Sequence, residues 1–265
     1  MNIYLRELRA HRKSLIIWCV CIVLFVASGM GKYTAIYSGV NSGSDFLESM
    51  PKSLQALMGG GSFDLSKAVE YFGAIFLYLL LMATIHAAMI GSGIISKEER
   101  DKTVEFLMVK PVSRSRVVTA KLFAALTNII IFNIATFVSS LIIVGKYNKG
   151  DAIGGDIAVL MAGMFLLQLL FMAVGVAFAA ARKNSRTAGA ITTGILLLTF
   201  IMSVMIDMNE NLEVLKYVTP FKFFDAKTLL VGEGFNALLV LLTFAIIAGL
   251  TVLSYIRYNK RDLGH

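Results

Sequence analysis

Histidine and cysteine, the side chains that most often act as catalytic bases or metal ligands, are nearly missing from this chain. Only His11, His86 and His265 are present among 265 residues, so no Ser/His/Asp set can be assembled, and no HExxH pattern occurs. Cys19 and Cys21 are two apart, which on a helix directs them to nearly opposite sides, so they neither share a metal nor suggest a disulfide framework. There is no Walker A pattern either, and without that phosphate-cradling loop the chain is not expected to bind and hydrolyse ATP itself. No catalytic, cofactor-binding or metal-ligating residue is therefore assigned. What remains is His86, the one titratable side chain well inside an apolar block, with Asn128, Asn133 and Gln168 as the other strongly polar intruders. An ionisable group at that depth is a candidate for a transport pathway. The ordinary alternative is a histidine hydrogen-bonded to a neighbouring helix.

The elements that must hold these residues are set by composition. Hydrophobic residues make up 57% of the chain and charged residues 16%, with a mean hydropathy of +0.74. A soluble domain carries about 25% charged residues. The apolar residues fall in six blocks, each long enough for the roughly 20 residues that cross a hydrocarbon core as a helix. They cover 14–31, 68–95, 117–144, 157–181, 187–206 and 235–258. The expected fold class is thus an all-α polytopic membrane protein with six transmembrane helices, forming a single transmembrane domain over 1–265. The second and third blocks exceed the bilayer core and should tilt or continue as helix beyond it. The first block is read as a retained span rather than a cleaved signal, because its apolar stretch is long for a signal h-region.

Basic residues set the orientation. Of 25 lysines and arginines, 17 lie in or just beside the N-terminal segment, the loops after the second and fourth blocks and the C-terminal tail (Lys121 and Arg257 just within the adjoining blocks), and 8 lie in the alternate loops. By the positive-inside rule both termini are cytoplasmic. The formal net charge of +8 is accounted for by this placement, with no nucleic-acid partner implied. Trp18, one turn into the first block, suits an interfacial anchor.

Three segments lie outside the blocks. Residues 1–13 have Met1, Leu5 and Leu8 on one helical face and Arg6, Arg9 and Lys13 on another, the pattern of an amphipathic interfacial helix. The loop 96–116 is dense in both charge signs, with Glu98 and Lys102 at the favourable i,i+4 spacing. Val104, Leu107 and Met108 then form an apolar i, i+3, i+4 stripe, Pro111 ends that helix, and Ser113 is placed to cap the helix of the third block. The apolar face of this short helix needs either the membrane surface or another protein to cover it. The loop 207–234 is too long for a simple turn and mixes Leu212, Leu215, Val218, Phe221, Phe223 and Phe224 with Pro220, so short helices resting on or dipping into the outer leaflet are expected.

The same loop carries a family resemblance. Ser96-Lys-Glu-Glu-Arg-Asp-Lys-Thr-Val-Glu-Phe-Leu, followed by Lys110-Pro-Val-Ser-Arg and then Lys121, resembles the ABC-2-type (type-2 exporter) permease subunits of ABC transporters. Their pattern there is a run of acids, Gly-Thr-Leu-Glu, Pro-Val-Ser-Arg and a lysine. Thr219-Pro-Phe-Lys-Phe-Phe-Asp resembles that family's outer-loop segment, and Lys260-Arg-Asp-Leu resembles its close. Lys102 departs from the pattern, standing where the family commonly has glycine, which leaves the start of the coupling helix open.

The resemblance implies a permease subunit of an ATP-driven exporter in a bacterial cytoplasmic membrane. A cytoplasmic ABC ATPase would hold ATP-Mg, and a second permease subunit, identical or a sister, would complete the assembly within the lipid bilayer. It implies that Glu98, Glu99, Val104, Glu105, Leu107, Met108 and Arg114 couple to the ATPase, and that the second and fifth spans face the partner permease. The rival is a secondary transporter or channel with no ATPase, against which the scarcity of intramembrane charge weighs.

Overall fold

The computed structural model describes residues 3–37, 63–65, 67–100, 113–148, 152–182, 185–232 and 234–260. Among these the chain is helical, with six helices long and apolar enough to cross a membrane. They are α1 (Ile3–Tyr37), α2 (Ala68–Arg100), α3 (Arg114–Tyr147), α4 (Gly154–Ala181), α5 (Ser185–Met208) and α8 (Ala237–Asn259). A 3₁₀ helix (Glu210–Tyr217) and two short α-helices, α6 (Pro220–Phe223) and α7 (Ala226–Leu230), join α5 to α8. Many of these helices are rich in Val, Ile and Phe, which are not strong helix formers. In hydrocarbon that preference is overridden, since every backbone N–H and C=O must find a partner within the segment.

All six expected blocks are helices, and most of them extend further than hydropathy indicates, although α8 begins two residues inside its block, at Ala237. The second and third spans continue as helix for 33 and 34 residues in all. Residues 3–13 are helical as expected, yet they run without a break into the first span, giving one helix of 35 residues. At 1.5 Å per residue it is about 52 Å long, well beyond the roughly 30 Å hydrocarbon core. Ser113 caps α3 as anticipated, its hydroxyl accepting from the Arg116 N–H at 3.4 Å.

α4 is apolar on every side, the mark of a helix surrounded by others, and it occupies the centre of the bundle. It packs on α2, α3, α5 and α8, and its contact with α2 is the most extensive in the chain. That contact is made backbone to backbone. A Cβ on Gly91 would lie 2.4 Å from the Met172 carbonyl oxygen, and one on Gly175 would lie 2.8 Å from the Ser92 nitrogen and 2.9 Å from the Ala88 oxygen. Small residues at helix crossings in lipid allow this approach, where dispersion rather than hydrophobic burial drives association. Hydroxyls within the spans mostly turn back on their own helix: Thr84, Ser92, Thr136, Thr192, Thr243 and Ser254 each donate to the carbonyl one turn earlier. The outer faces of α1, α5 and α8 carry Ile17, Leu24, Leu198, Ile201, Leu238 and Leu241, exposed as lipid-facing side chains should be.

The loop 207–234 does fold into short helices, but its phenylalanines turn into the bundle rather than out to a leaflet, while Tyr217 stays exposed. Phe221, Phe223 and Phe224 are buried, and the Phe221 ring meets Phe171 of α4 and Phe200 of α5 at centroid distances of 5.6 and 5.5 Å. Burying those rings gains more than resting them at an interface, since each takes 150 Å² or more out of solvent contact. Val214 and Val218 remain exposed.

The α2–α4 crossing generates a direct test. Gly91→Ala and Gly175→Ala should each lower stability by about 1–3 kcal/mol, because the obstructing atoms are backbone and cannot swing aside. Gly93→Ala and Gly194→Ala, where a Cβ meets nothing within 4 Å, should leave the unfolding midpoint in detergent unchanged. Equal effects at all four positions would mean that the helices do not cross there.

Candidate functional site

Four helix ends converge around the flanks of the loop 96–116. The start of α1, the end of α2, the start of α3 and the end of α8 share a second apolar cluster that includes Ile94, Ile95, Val118 and Tyr258, with Tyr4 and Leu8 packed against it and the end of α4 and the start of α5 (Ala188) behind it. Polar contacts then tie these ends together at what is here called the basic end. The buried Glu7 accepts from Arg6 at 2.7 Å, and its other oxygen lies 3.8 Å from Lys97 Nζ on α2. Lys121, fully buried on α3, donates through Nζ to the Ile94 carbonyl of α2 at 2.5 Å. Tyr4 and Thr127 hydroxyls pair α1 with α3 at 3.0 Å. Arg114 Nη1 donates to the Asn259 carbonyl at 3.1 Å, Asn259 Nδ2 donates to Ser115 Oγ at 3.1 Å, and Thr119 pairs with the Tyr255 hydroxyl at 2.7 Å, so α3 is bound to α8.

The residues expected to couple to an ATPase are distributed unevenly over this arrangement. Arg114 is the first residue of α3 and engages α8 within the chain, which reduces its freedom to reach a partner. Glu98 and Glu99 stand on the last turn of α2, their side chains outside those described. Val104, Glu105, Leu107 and Met108 lie outside the described residues. Of the two spans that the resemblance assigns to a partner permease, α5 leaves Leu197, Leu198, Ile201 and Met205 exposed, whereas α2 has Met89 as its one exposed large apolar side chain.

His86 sits on α2, buried between α1 and α3. Its ring stacks on Phe132 at 4.6 Å and meets the Trp18 ring at 5.5 Å, and among the described residues neither ring nitrogen has a hydrogen-bond partner. The expected bond to a neighbouring helix is absent there; its neighbours are aromatic faces. The other intruders do bridge helices in part. Asn133 Nδ2 on α3 donates to Gln168 Oε1 and to the Met161 carbonyl of α4, both at 3.2 Å, while Asn128 turns back to Ala124 on its own helix.

At the opposite end the segment Thr219-Pro-Phe-Lys-Phe-Phe-Asp is held by a second ion cluster. Pro220 occupies the first turn of α6, where its missing N–H costs nothing. Lys222, nearly buried, bonds Asp207 at the end of α5 and Asp225 at 3.1 Å, and Asp225 also caps α7 by accepting from the Thr228 N–H at 2.8 Å.

A family model described as ABC-2 family transporter protein matches residues 1–263, nearly the whole chain. The chain belongs to this family. It is a multi-pass membrane protein and a permease component of an ABC transporter. Comparison with curated proteins gives no match. The stretches that carry the resemblance include the ones just described: the outer segment docks on the bundle core, and the loop flanks are tied to two other helix ends, those of α1 and α8.

Two functional groups in the permease escape sequence reasoning. Glu7 is an acid amid Arg6, Arg9, Arg12 and Lys13, and that isolation is the signal for an internal ion pair. Asp207, placed where an apolar span ends, signals its bond to Lys222 in the same way. For the first of these the test is a double-mutant cycle with Glu7→Gln and Lys97→Met on the unfolding midpoint of the permease. A coupling of about 1 kcal/mol is expected; strictly additive effects would show that α1 and the end of α2 are not linked through this pair.

Proposed function

We propose that the chain is the membrane-spanning subunit of an ATP-driven exporter, paired with a second permease and driven by separate cytoplasmic ABC ATPase subunits that hold ATP-Mg. In this reading the two termini and the loop 96–116 are cytoplasmic, in a bacterial cytoplasmic membrane, and the stripe Val104, Leu107 and Met108 is the face that docks on the ATPase. The observation that carries the reading is the convergence of four helix ends on the flanks of that loop, in a chain whose family is a transporter membrane component. A displacement of the loop would reach α1 through Lys97 and Glu7, α2 through Lys121 and the Ile94 carbonyl, and α8 through Arg114 and Asn259. Glu98, Glu99 and Glu105 would contribute charge complementarity to the docked surface. His86 would lie beside the route rather than act as a proton carrier, since its neighbours are aromatic. A secondary transporter or channel would need no such ATPase, and no observation favours it.

Orientation is tested by cysteine labelling in a cysteine-free background. Cysteines at Ser42, Asn148 and Asn211 should react with an impermeant reagent in intact cells, and cysteines at Ser115 and Asn184 should not. Labelling of Ser115 from outside would reverse the topology and remove the coupling argument.

Docking is tested at Leu107. Leu107→Asp would bury an unpaired charge in the ATPase groove at a cost of several kcal/mol, weakening association about a hundredfold or more at about 1.4 kcal/mol per decade. Expression and membrane insertion should survive, because no span is altered, while ATPase co-purification and transport fall. Wild-type levels of both would show that this stripe lies on the membrane surface instead.

A further inference from the structure

The pairing of Glu7 fixes which side of α1 meets the end of α2. Glu7 is buried and lies 3.8 Å from Lys97, so α2, with Glu98 and Glu99 on its last turn, meets α1 on that side. At about 100° per residue, Arg9, Arg12 and Lys13 fall within an arc of about 100° centred on the opposite side of α1. All three are exposed, and none forms a hydrogen bond or ion pair among the described residues. Other cations of the basic end are engaged within the chain: Arg6 and Lys97 with Glu7, Lys121 with the Ile94 carbonyl, and Arg114 with the Asn259 carbonyl.

The same face continues into lipid. Ile16 and Val20 lie on the arc of the three cations and Ile17 borders it, and each is more than half exposed. At 1.5 Å per residue, Lys13 and Arg12 stand about 4.5 and 6 Å beyond Ile16, and Arg9 about 10 Å. The headgroup layer outside the hydrocarbon core is about 5 to 7 Å deep on each side. Two of the cations therefore stand within it, and Arg9 reaches it with a long side chain. Arg12 and Lys13 follow Arg9 by three and four residues, the spacing that sets side chains together on a helix surface. A single phosphate between them is within reach of all three.

A guanidinium presents paired N–H donors that match phosphate oxygens, and a lysine adds a mobile point charge. We propose that Arg9, Arg12 and Lys13 bind the phosphodiester headgroup of an anionic phospholipid whose chains lie along Ile16, Ile17 and Val20. A free phosphate would engage the cations alone; the apolar continuation of the face is what acyl chains cover, and it selects a lipid. α1 would then be held on both sides, by Glu7 toward α2 and by lipid away from it. The site belongs to the chain alone and needs no ATPase, so its failure would leave the coupling reading untouched.

The full-length permease, delipidated in detergent, is titrated with short-chain phosphatidylglycerol, phosphatidylcholine or inorganic phosphate. Native mass spectrometry counts bound lipid while the unfolding midpoint is followed. Phosphatidylglycerol should bind at least about tenfold more tightly than phosphatidylcholine and raise the midpoint as it saturates. Arg12→Gln, a surface change that should not disturb folding, is expected to weaken phosphatidylglycerol about tenfold and leave phosphatidylcholine unchanged. Arg9→Lys combined with Arg12→Lys keeps the charge but loses the planar fork, and should weaken phosphatidylglycerol as well. Arg257→Gln combined with Lys260→Gln removes two other exposed cations of the same end and should have no effect. An equal loss from that pair and from Arg12→Gln would reduce the preference to general charge and overturn the proposal. Undiminished phosphatidylglycerol binding by Arg12→Gln would overturn it too. So would inorganic phosphate acting at the same concentration as phosphatidylglycerol, since the face would then take a free anion.

Discussion

Where α2 crosses α4 the two backbones touch with no side chain between them, Gly91 lying against the Met172 carbonyl and Gly175 against Ala88 and Ser92. The rest of the bundle takes its position from this crossing. Because α2 cannot slide along α4 without driving backbone into backbone, His86, just over a turn before Gly91, is fixed in height opposite Trp18 and Phe132. Lys97, further along α2, is fixed in the same way beside Glu7. On the other partner, Phe171 precedes Met172 and presents its ring to Phe221, so the segment between α5 and α8 is also seated by α4. In lipid this kind of constraint matters more than in water, since apolar side chains gain nothing by leaving hydrocarbon for one another.

The two ends of the bundle are stabilised by different chemistry. At the basic end the contacts are spread over several helices: an acid shared by two cations, a buried lysine on a carbonyl, and hydroxyl and amide pairs between α3 and α8. At the opposite end one lysine, Lys222, gathers two acids, and aromatic rings fill the space beneath. The first arrangement joins elements that are distant in sequence and leaves each contact individually modest. The second closes a local segment tightly onto a single point.

Much of this was legible in the sequence. Six spans followed from block length, and Ser113 announced its cap, because lipid leaves a helix few alternatives and a capping residue acts locally. Helix ends were less legible: α1 runs unbroken through Lys13 into the first span, since charged residues mark an interface without interrupting the hydrogen-bond ladder. The aromatic residues of 207–234 pointed to burial but not to its place, because a phenylalanine suits a leaflet and a protein groove alike until the partner rings are known. Glu7 was lost among the arginines around it, and its pairing with Lys97 depends on a meeting of α1 and α2 that no local pattern encodes. His86 stood out at once, yet its place between Trp18 and Phe132 required three helices to be placed.

The continuity of α1 has a mechanical consequence. A helix without a proline or a break along its length behaves as a stiff lever, and this one is gripped near one tip by the ion pair at Glu7. From Glu7 to Tyr37 its arm measures about 45 Å at 1.5 Å per residue. A pivot of about 5° at the gripped tip sweeps the far tip through about 4 Å by the same geometry. A rocking motion about the gripped end can therefore be magnified at the other face of the bilayer along a single element.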